Sequence, residues 1–285
     1  MSKILIIGAD GQLAFDLIRT LKKKHEVFEV RHNDFDVRNK SKVGKFIKKI
    51  SPDVVINTAA FHNTEKCEKN SRRSFAVNAL GAYNVARAAK GVGAAVFFIS
   101  SDYVFDGEKK YFTEDDTPNP LNIYGASKLA GEVLTKIANE KSYVIRTNAI
   151  FGEKISGKGH NFVTLMIQKA KNKEELKVVD DEFGCLTYSH DLAEKIAEFV
   201  KKKPAFGVYH ITNTGFSSWY GFAKELLGIA GIKAKITPIS GKDRKTNLIR
   251  PKYGCIKSVN LKKAGISPLR PWQEAVREYI KICMT

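Results

Sequence analysis

The sequence predicts an α/β fold: a doubly wound parallel sheet of the Rossmann type, followed by a smaller α+β lobe. Three observations predict this fold. An apolar run at residues 3–7 leads directly into the glycine-spaced turn GADGQLA and an amphipathic helix. Short apolar runs then alternate with helical patterns as far as residue 200. Beyond Lys203-Pro204 the elements shorten, which indicates a separate unit.

Composition is that of an ordinary globular protein. The 285 residues are 43% hydrophobic and 27% charged, enough for a sizeable core. No apolar run approaches the roughly 20 residues of a membrane-spanning helix, so we expect no membrane partner. The opening Met-Ser-Lys enters a strand directly, without a signal-peptide pattern, and the four cysteines are far apart. We therefore expect a cytoplasmic protein with reduced thiols.

The net charge of +18 raises the question of nucleic-acid binding. Two lysine runs, at residues 22–24 and 201–203, close predicted helices, where cations complement the helix dipole and stay solvated. The sequence also lacks zinc-finger spacing and RNA-binding aromatic motifs. We expect no nucleic-acid partner, and the basic balance favours a small anion such as a nucleotide diphosphate.

The first glycine turn predicts a dinucleotide site. Gly8 permits the tight turn, Gly11 lets the backbone approach a pyrophosphate, and Ala14 keeps the helix close to the strand. The N-terminus of the helix supplies N–H donors to that anion. An ordinary βα turn is the alternative, because glycine patterns are weak in isolation.

The residue after the second predicted strand, residues 25–30, suggests the cofactor. An acidic residue about twenty positions beyond the glycines favours NAD, and a nearby arginine favours NADP. Arg31 stands here, which predicts NADPH, with NADH as the alternative because an arginine after a strand is also a common surface residue. Asp36 and Val37 are placed to flank the adenine.

The third and fourth predicted strands deliver further site residues. Residues 52–57 lead into small side chains, which let a cofactor approach the carboxyl end of a strand. A helix over residues 67–90 follows, and the strand at residues 94–100 then delivers Ser101. Its hydroxyl is suited to orient a substrate oxygen.

The helix predicted over residues 123–138 carries the proposed acid–base pair. Tyr124 and Lys128 lie four residues apart and share a face. The lysine ammonium is expected to lower the phenol pKa from about 10, so that the pair moves a proton near neutral pH. Alone, this spacing is common on protein surfaces. The helix is predicted to bury an apolar side made of Ile123, Leu129, Val133, Leu134 and Ile137.

The remaining elements give the predicted domains. Residues 1–203 form the dinucleotide-binding domain and residues 204–285 the small lobe, while residues 148–160 form a loop contributing to the cleft between them. The first domain also takes a strand at 142–147, a helix at 162–170, a strand at 176–179 and a helix at 191–200. The small lobe takes strands at 208–211 and 235–238 and helices at 219–230 and 271–282.

Over nearly the whole chain, these pieces resemble the extended short-chain dehydrogenases/reductases, and more closely the dTDP-4-dehydrorhamnose reductase family. The resemblance is carried by GADGQL at 8–13, NTAA at 57–60, SDYVFDG at 101–107, PNPLNIYGASKLAGE at 118–132, RT at 146–147, NFV at 161–163 and RPKY at 250–253. The run SDYVFDG with the downstream YGASK is more specific than the glycines.

The resemblance implies reduction of the 4-keto group of dTDP-4-dehydro-6-deoxy-L-mannose, giving dTDP-L-rhamnose, with NADPH or NADH. Tyr124 would donate the proton, Lys128 would hold the nicotinamide ribose and tune Tyr124, and Ser101 would keep the hydroxyl that the family often places on threonine. With Tyr124 and Lys128, the implied cofactor-lining residues are Gly8, Asp10, Gly11, Gln12, Leu13, Arg31, Asp36, Val37, Ala59, Ala60, Phe61, His62 and Ile99.

The resemblance also implies a substrate-binding small lobe with Ser101, Asp102 and Tyr103 on the sugar and Arg250 on the diphosphate. Each of the last three has a structural alternative. Asp102 is equally suited to cap the following turn, Tyr103 to pack in the core, and Arg250 to lie solvated on the surface.

Departures from the family pattern bear on the substrate and on metal binding. Many members carry tryptophan after Arg-Thr-Ser, whereas this chain has Asn148 and Ala149, and Cys185-Leu-Thr replaces a Gly-x-Pro-Thr pattern. Some members join subunits through a metal held by carboxylates. Asp16 could serve there, but His190 stands where another carboxylate is expected, so we predict no metal.

Two functions follow as hypotheses. The first is a reductase of a nucleotide-linked 6-deoxysugar, acting as a monomer or homodimer. The second is a non-catalytic NADP-binding regulator resembling the methionine adenosyltransferase β subunit, favoured by the altered pocket at Ala149 and Cys185. Retention of Ser101, Tyr124 and Lys128 favours the enzyme, because a regulator has no evident need of them.

Overall fold

The computed structural model of the chain describes residues 1–155, 159–244 and 246–283. The strands are β1 (Lys3–Ile7), β2 (Glu26–Val30), β3 (Val54–Asn57), β4 (Ala95–Ser101), β5 (Ser142–Thr147), β6 (Ile150–Phe151), β7 (Leu176–Val179), β8 (Phe183–Gly184), β9 (Thr187–Tyr188), β10 (Gly207–His210), β11 (Asn213–Thr214), β12 (Ser217–Ser218), β13 (Ile236–Ile239), β14 (Tyr253–Gly254) and β15 (Leu269–Pro271).

The α-helices are α1 (Gln12–Leu21), α2 (Lys40–Ile50), α3 (Thr64–Lys69), α4 (Ser71–Phe75), α5 (Ala82–Lys90), α6 (Ile123–Ala138), α7 (Phe162–Lys171), α8 (Ser189–Lys202), α9 (Trp219–Ile229), α10 (Asn260–Lys263) and α11 (Trp272–Cys283). A π-helical turn, Ala76–Gly81, joins α4 to α5, and short 3₁₀ turns occupy Asp102–Val104 and Gly241–Asp243. Within the described ranges, no helix has both the length and the apolar character needed to cross a bilayer.

A six-stranded parallel sheet forms the centre of the molecule, in the order β2-β1-β3-β4-β5-β10. Strands of such a sheet are covered on both faces, so their sequences are almost continuously apolar, as β1 and β3 are. The order reverses between β1 and β3, the place where open α/β sheets bind ligands. The predicted doubly wound parallel sheet is confirmed.

Helices cover both faces of this sheet. On one face, α1 and α8 pack through Leu13, Leu17, Leu192, Ile196 and Phe199. On the other face, α2 and α5 pack through Val43, Ile47, Val85 and Ala89. Each set recurs at three- or four-residue spacing along its helix, which is the pattern of a helix with one buried stripe.

Helix α6 has its predicted bounds but buries a different face from the one expected. Val133 and Ile137 are 44% and 69% exposed, so the predicted apolar side is wrong for them. The buried residues are small or polar: Gly125, Ser127, Lys128, Gly131, Glu132, Thr135 and Ala138. Small residues let α6 approach the π-turn closely, because a Cβ atom on Gly131 would lie 2.3 Å from the Asn78 carbonyl oxygen.

A second packing unit surrounds the parallel pair β7·β13 and contains α7, α9 and α11. Its core side chains include Phe151, Val163, Leu226, Trp272 and Tyr279. This unit and the small sheet β12-β8-β14 supply the smaller α+β lobe that the sequence predicts.

The chain is divided between the two units differently from the predicted seam at residues 203 and 204. β10 follows that seam, yet it pairs with β5 in the main sheet. α7 and β7 precede the seam, yet they pack in the second unit. The division into two domains stays a prediction, and residues 156–158 of the predicted loop at 148–160 lie outside the described residues.

Candidate active site

The glycine turn after β1 requires glycine at its first position. Gly8 has a φ of +87°, and a Cβ atom there would lie 2.8 Å from Thr58 Oγ1 and 2.9 Å from the Ala59 nitrogen. The backbone nitrogens of Gly8 and Ala9 both donate to the Val30 carbonyl at 2.9 Å. The turn is therefore held tightly between β2 and the loop that follows β3.

Helix α1 begins where the strand order of the sheet reverses, and no side chain caps its first backbone N–H groups. Its N-cap is Gly11, which offers no side-chain cap to the first-turn N–H groups. The buried Gln12 Nε2 atom has no hydrogen-bond partner among the described residues. The uncapped helix start, the buried amide and the glycine cradle fit the pyrophosphate of a dinucleotide.

Arg31 lies beside this turn, with its side chain 61% exposed. Among the described residues, its guanidinium makes only long ion pairs, 3.6 Å to Asp10 Oδ1 and 3.7 Å to Glu29 Oε2. Asp36 is instead held by Arg38 at 2.6 Å, and the hydrogen bond from Arg38 lowers the pKa of Asp36. Arg31 is thus the cation available at the glycine turn.

The loop from Ala59 to His62 is held by a residue that the sequence reasoning missed. Asn78, in the π-turn, accepts from the Phe61 nitrogen at 2.8 Å and donates to the Phe61 carbonyl at 3.0 Å. Val37 also reaches this turn, because a Cβ atom on Gly81 would lie 2.6 Å from its Cγ2. The available signal was an asparagine in the middle of the helix predicted over residues 67–90, because asparagine is a poor helix former.

The end of β4 brings four predicted site residues together: Ser101, Asp102, Tyr103 and Tyr124. The Ser101 hydroxyl donates to Asp102 Oδ1 at 2.8 Å and accepts from the Tyr103 nitrogen at 3.2 Å. Tyr124 lies beside Ser101, whose side chain acts to lower the phenol pKa. The Tyr103 and Tyr124 rings lie edge to face, with centroids 5.6 Å apart.

Helix α6 is placed for this contact by its first turn. Asn122 caps the helix by accepting from the Gly125 nitrogen at 2.9 Å, and its amide donates to the Ile249 carbonyl at 3.0 Å. A Cβ atom on Gly125 would lie 2.0 Å from the Tyr103 carbonyl oxygen. Glycine after Tyr124 therefore lets α6 touch the segment after β4.

Burial governs the ionisation of the clustered side chains. Burial raises the pKa of Asp102 to about 8, against the hydrogen bond from Ser101. Burial, reinforced by the nearby Asp102 carboxylate, also raises the pKa of Tyr124. The expected lowering of the Tyr124 pKa is wrong for this structure, in which desolvation outweighs any effect of an ammonium.

Lys128 is almost fully buried, with Nζ 4.1 Å from the centroid of the Phe98 ring. Burial lowers the pKa of Lys128 to about 7, and the Glu132 carboxylate opposes the shift. Glu132 is itself held by Arg146, which donates at 2.9 and 2.7 Å, and by the Ser100 hydroxyl at 2.5 Å. Lys128, the predicted catalytic lysine, therefore lies near a buried charged network formed by Glu132 and Arg146.

A cleft of about 410 Å³ adjoins this cluster and opens towards the second packing unit. Asp102 and Tyr103 line it from the 3₁₀ turn after β4, and Arg250, close to Tyr103, lines it as well. The sequence reasoning missed most of the remaining lining, which includes Phe162, Lys177, Glu182, Phe183, Trp219 and Arg244. Trp219 of α9 gives the cleft an indole side chain. At position 149, where many family members carry tryptophan, this chain has alanine.

The other predicted substrate residues lie at the cleft or beside it. Asn148 donates to the Gly254 carbonyl at 2.7 Å, and Ala149 next to it has a φ of +40°. Arg250 lies 3.7 Å from Glu65, and its buried Nη1 atom has no hydrogen-bond partner in the described ranges. Ile99 lies on β4, partly buried against the α1 side of the sheet.

Asp16 lies apart from this cleft. It is fully buried, accepts from Arg19 at 3.0 Å and from the Ser189 hydroxyl, and burial raises its pKa. His190 follows Ser189. Within the part of the chain that the structure describes, no three His, Cys, Asp or Glu side chains form a metal site, and the absence of a metal stays a prediction.

The family model for the RmlD substrate binding domain matches residues 2–284. The chain is 36% identical to the spore coat polysaccharide biosynthesis protein SpsK of Bacillus subtilis over 283 residues, covering 99% of this chain and 98% of SpsK. A dTDP-4-dehydrorhamnose reductase of Bacillus anthracis, solved in complex with NADP, superposes with a TM-score of 0.94 at 34% identity, covering 99% of both chains.

The dTDP-4-dehydrorhamnose reductase orthologue of Clostridium acetobutylicum also superposes with a TM-score of 0.94, at 40% identity, covering 99% of this chain and 100% of the other. The match extends over both packing units, and the two solved relatives are named dTDP-4-dehydrorhamnose reductase. The chain therefore belongs to the dTDP-4-dehydrorhamnose reductase family of extended short-chain dehydrogenases/reductases, and it is an oxidoreductase.

Proposed function

We propose that this protein uses NADPH to reduce the 4-keto group of a nucleotide-linked 6-deoxysugar, converting dTDP-4-dehydrorhamnose to dTDP-L-rhamnose. The observation that carries the proposal is that Ser101, hydrogen-bonded to Asp102, and Tyr124 meet at the end of β4. Asp102 also lines the cleft. NADPH, when bound, supplies the hydride.

The raised pKa of Tyr124 keeps the phenol protonated, which is the form that a proton donor needs. A phenol whose pKa lies above its ordinary value of about 10 is protonated at neutral pH and can donate to the ketone oxygen. Ser101, beside Tyr124, offers a second contact to that oxygen. Lys128, with a pKa of about 7, is suited to hold a ribose hydroxyl next to Tyr124.

The cofactor assignment is supported by Arg31, a weakly paired guanidinium at the glycine turn. Arginine suits a 2′-phosphate because its planar donor fork matches phosphate oxygens. The Bacillus anthracis relative is named in complex with NADP. We infer NADPH as the cofactor, with NADH as the weaker alternative.

The cleft chemistry supports a nucleotide sugar. Arg250, Arg244 and Lys177 give it cationic donors suited to a diphosphate. Phe162 and Trp219, with ring centroids 4.9 Å apart, add an aromatic wall suited to a base or a sugar face. A cytoplasmic location and a monomeric or homodimeric state remain predictions.

The test measures NADPH oxidation with dTDP-4-dehydro-6-deoxy-L-mannose and identifies the product. We expect dTDP-rhamnose from the wild type, and a loss of kcat of about 10²- to 10⁴-fold in Tyr124→Phe with NADPH binding retained. Tyr143→Phe is the matched control, because that phenol bonds the Pro204 carbonyl at the far end of β5.

Full turnover by Tyr124→Phe would remove Tyr124 from the proposed role. Tight NADPH binding without oxidation by this substrate would defeat the proposed substrate. In that case, oxidation with another 4-keto sugar would indicate a different sugar, and inactivity with all of them would favour the regulatory alternative.

A further inference from the structure

A second cavity, of about 860 Å³, lies behind the small sheet that borders the cleft. Phe183 and Gly254, on β8 and β14, line the cleft. Cys185 and Ile256, just beyond the ends of the same strands, line the second cavity together with Tyr111, Thr212, Phe216 and Lys257. The ends of β8 and β14 thus border both spaces.

Two cysteines stand side by side at these strand ends. β8 and β14 are parallel, with Phe183 opposite Tyr253 and Gly184 opposite Gly254. The next residue on each strand is a cysteine, Cys185 or Cys255. Neighbouring strands lie about 4.8 Å apart, within the Cα separation of about 4.4–6.8 Å that a disulfide accepts.

The two thiols are unequal. Both side chains are buried, and the interaction between the two thiols lowers the pKa of Cys185 and raises the pKa of Cys255. Interactions with the Ile256 backbone and the Thr212 side chain also lower the pKa of Cys185, despite its burial. Cys185 also borders the cavity, so it is placed as the attacking thiol and Cys255 as the resolving one.

We propose that Cys185 and Cys255 form a reversible disulfide when a hydroperoxide enters the second cavity, and that this bond regulates the cleft. The Cys185 thiolate attacks the peroxide, so an S–O bond forms, the O–O bond breaks and water is released when the peroxide is hydrogen peroxide. The Cys255 thiol then displaces the hydroxyl from sulfur as a second water. Two thiols are oxidised and one peroxide is reduced, with no other reactant.

The disulfide would act on the cleft through the two adjacent glycines. The Gly254 carbonyl accepts from Asn148 at 2.7 Å, and a Cβ atom on Gly254 would lie 2.5 Å from Asp102 Oδ2. A Cβ atom on Gly184 would lie 3.7 Å from the Trp219 ring. Drawing the sulfurs to about 2.05 Å shifts both strand ends. The expected effect on turnover, and this alone, rests on the proposed function.

The experiment uses Cys283→Ser protein, which removes the exposed thiol, treated with hydrogen peroxide and then analysed by peptide mass spectrometry. We expect a link between the peptides of Cys185 and Cys255 within one chain, reversed by dithiothreitol, together with a change in Trp219 fluorescence. Turnover should fall about tenfold, equivalent to the loss of one buried hydrogen bond.

Single Cys185→Ser and Cys255→Ser changes in the same background are the controls. Cys255→Ser should trap Cys185 as a sulfenic acid, and neither variant should show the reversible fluorescence change. The proposal is overturned if peroxide leaves Cys185 and Cys255 unlinked, or if the serine variants lose activity on oxidation as the parent does. The link and the fluorescence are measured without keto-sugar, so a failure of the reductase assignment would be distinguishable.

Discussion

The side-chain amide of Asn78 donates to the Ser127 hydroxyl at 2.9 Å, and so joins the loop after β3 to the helix that carries Tyr124. Ser127 in turn donates to the Tyr124 carbonyl at 2.8 Å. With its two bonds to Phe61, Asn78 connects the predicted cofactor loop to the predicted catalytic helix. The π-turn that carries Asn78 is a kind of irregularity found frequently at functional sites.

Replacing Asn78 by alanine should therefore affect both stability and cofactor binding. We expect a loss of about 2–4 kcal/mol in the free energy of unfolding, because buried partners at Phe61 lose their hydrogen bonds. We also expect a rise of about tenfold or more in the Kd for NADPH, measured by calorimetry. Asn139→Ala is the control, since that buried amide bonds the Ala94 carbonyl at the other end of α6. Equal NADPH affinity in both variants would contradict the assigned role.

Arg31→Ala should separate the two cofactors. A lost charge-assisted contact to a 2′-phosphate costs about 1.5–3 kcal/mol, so the KM for NADPH should rise about tenfold to a hundredfold while the KM for NADH stays unchanged. Arg38→Ala is the matched control, because Arg38 is engaged by Asp36. Steady-state kinetics with both cofactors check the prediction, and equal losses with NADH and NADPH would count against the 2′-phosphate contact.

Asp102 should make the free energy of unfolding fall as the pH rises. The pKa of Asp102 is about 8 when folded, against an ordinary value of 3.8. Between these values the folded chain holds a proton that the unfolded chain has released, so raising the pH destabilises the fold by about 1.4 kcal/mol per unit. Asp102→Asn removes this contribution.

Urea unfolding of Asp102→Asn and wild type at about pH 5, 6 and 7 checks this expectation. The variant should gain stability relative to wild type as the pH rises. Parallel stability curves for the two proteins would show that Asp102 titrates near its ordinary value, contrary to its burial beside Tyr124.

Replacing only one partner of the ion pair between Glu132 and Arg146 should lower the free energy of unfolding strongly. Both side chains are almost fully buried, so Glu132→Gln leaves a buried guanidinium uncompensated and should cost about 3–5 kcal/mol in unfolding free energy. The double change Glu132→Leu with Arg146→Met should recover most of that loss, because it removes both charges.

The same double variant tests the link to Lys128. The Glu132 carboxylate opposes the lowering of the Lys128 pKa, so its removal should move that pKa further below about 7. The basic form of Lys128 then persists to lower pH, and the corresponding inflection in the pH profile of kcat/KM should shift the same way. An unmoved inflection in a folded double variant would separate Glu132 from Lys128.

How far the sequence predicts the fold depends on how local the deciding interactions are. The glycine turn at Gly8 was predictable because its strand, turn and helix are consecutive in the chain. The spacing of Tyr124 and Lys128 was predictable because helical geometry alone places them on one face. The buried face of α6 was not predictable in this way, because Lys128 and Glu132 are buried only where Arg146, Ser100 and Phe98 meet them.

By itself, the sequence determined the parallel sheet, the glycine turn after β1 and the shared helical face of Tyr124 and Lys128, since periodicity and short-range spacing encode each of them. Tertiary structure alone decided that β10 joins the main sheet, that Trp219 lines the cleft, and that Cys185 meets Cys255 across β8 and β14. These contacts join segments tens of residues apart, and they depend on strand register and packing between units, for which no local pattern exists.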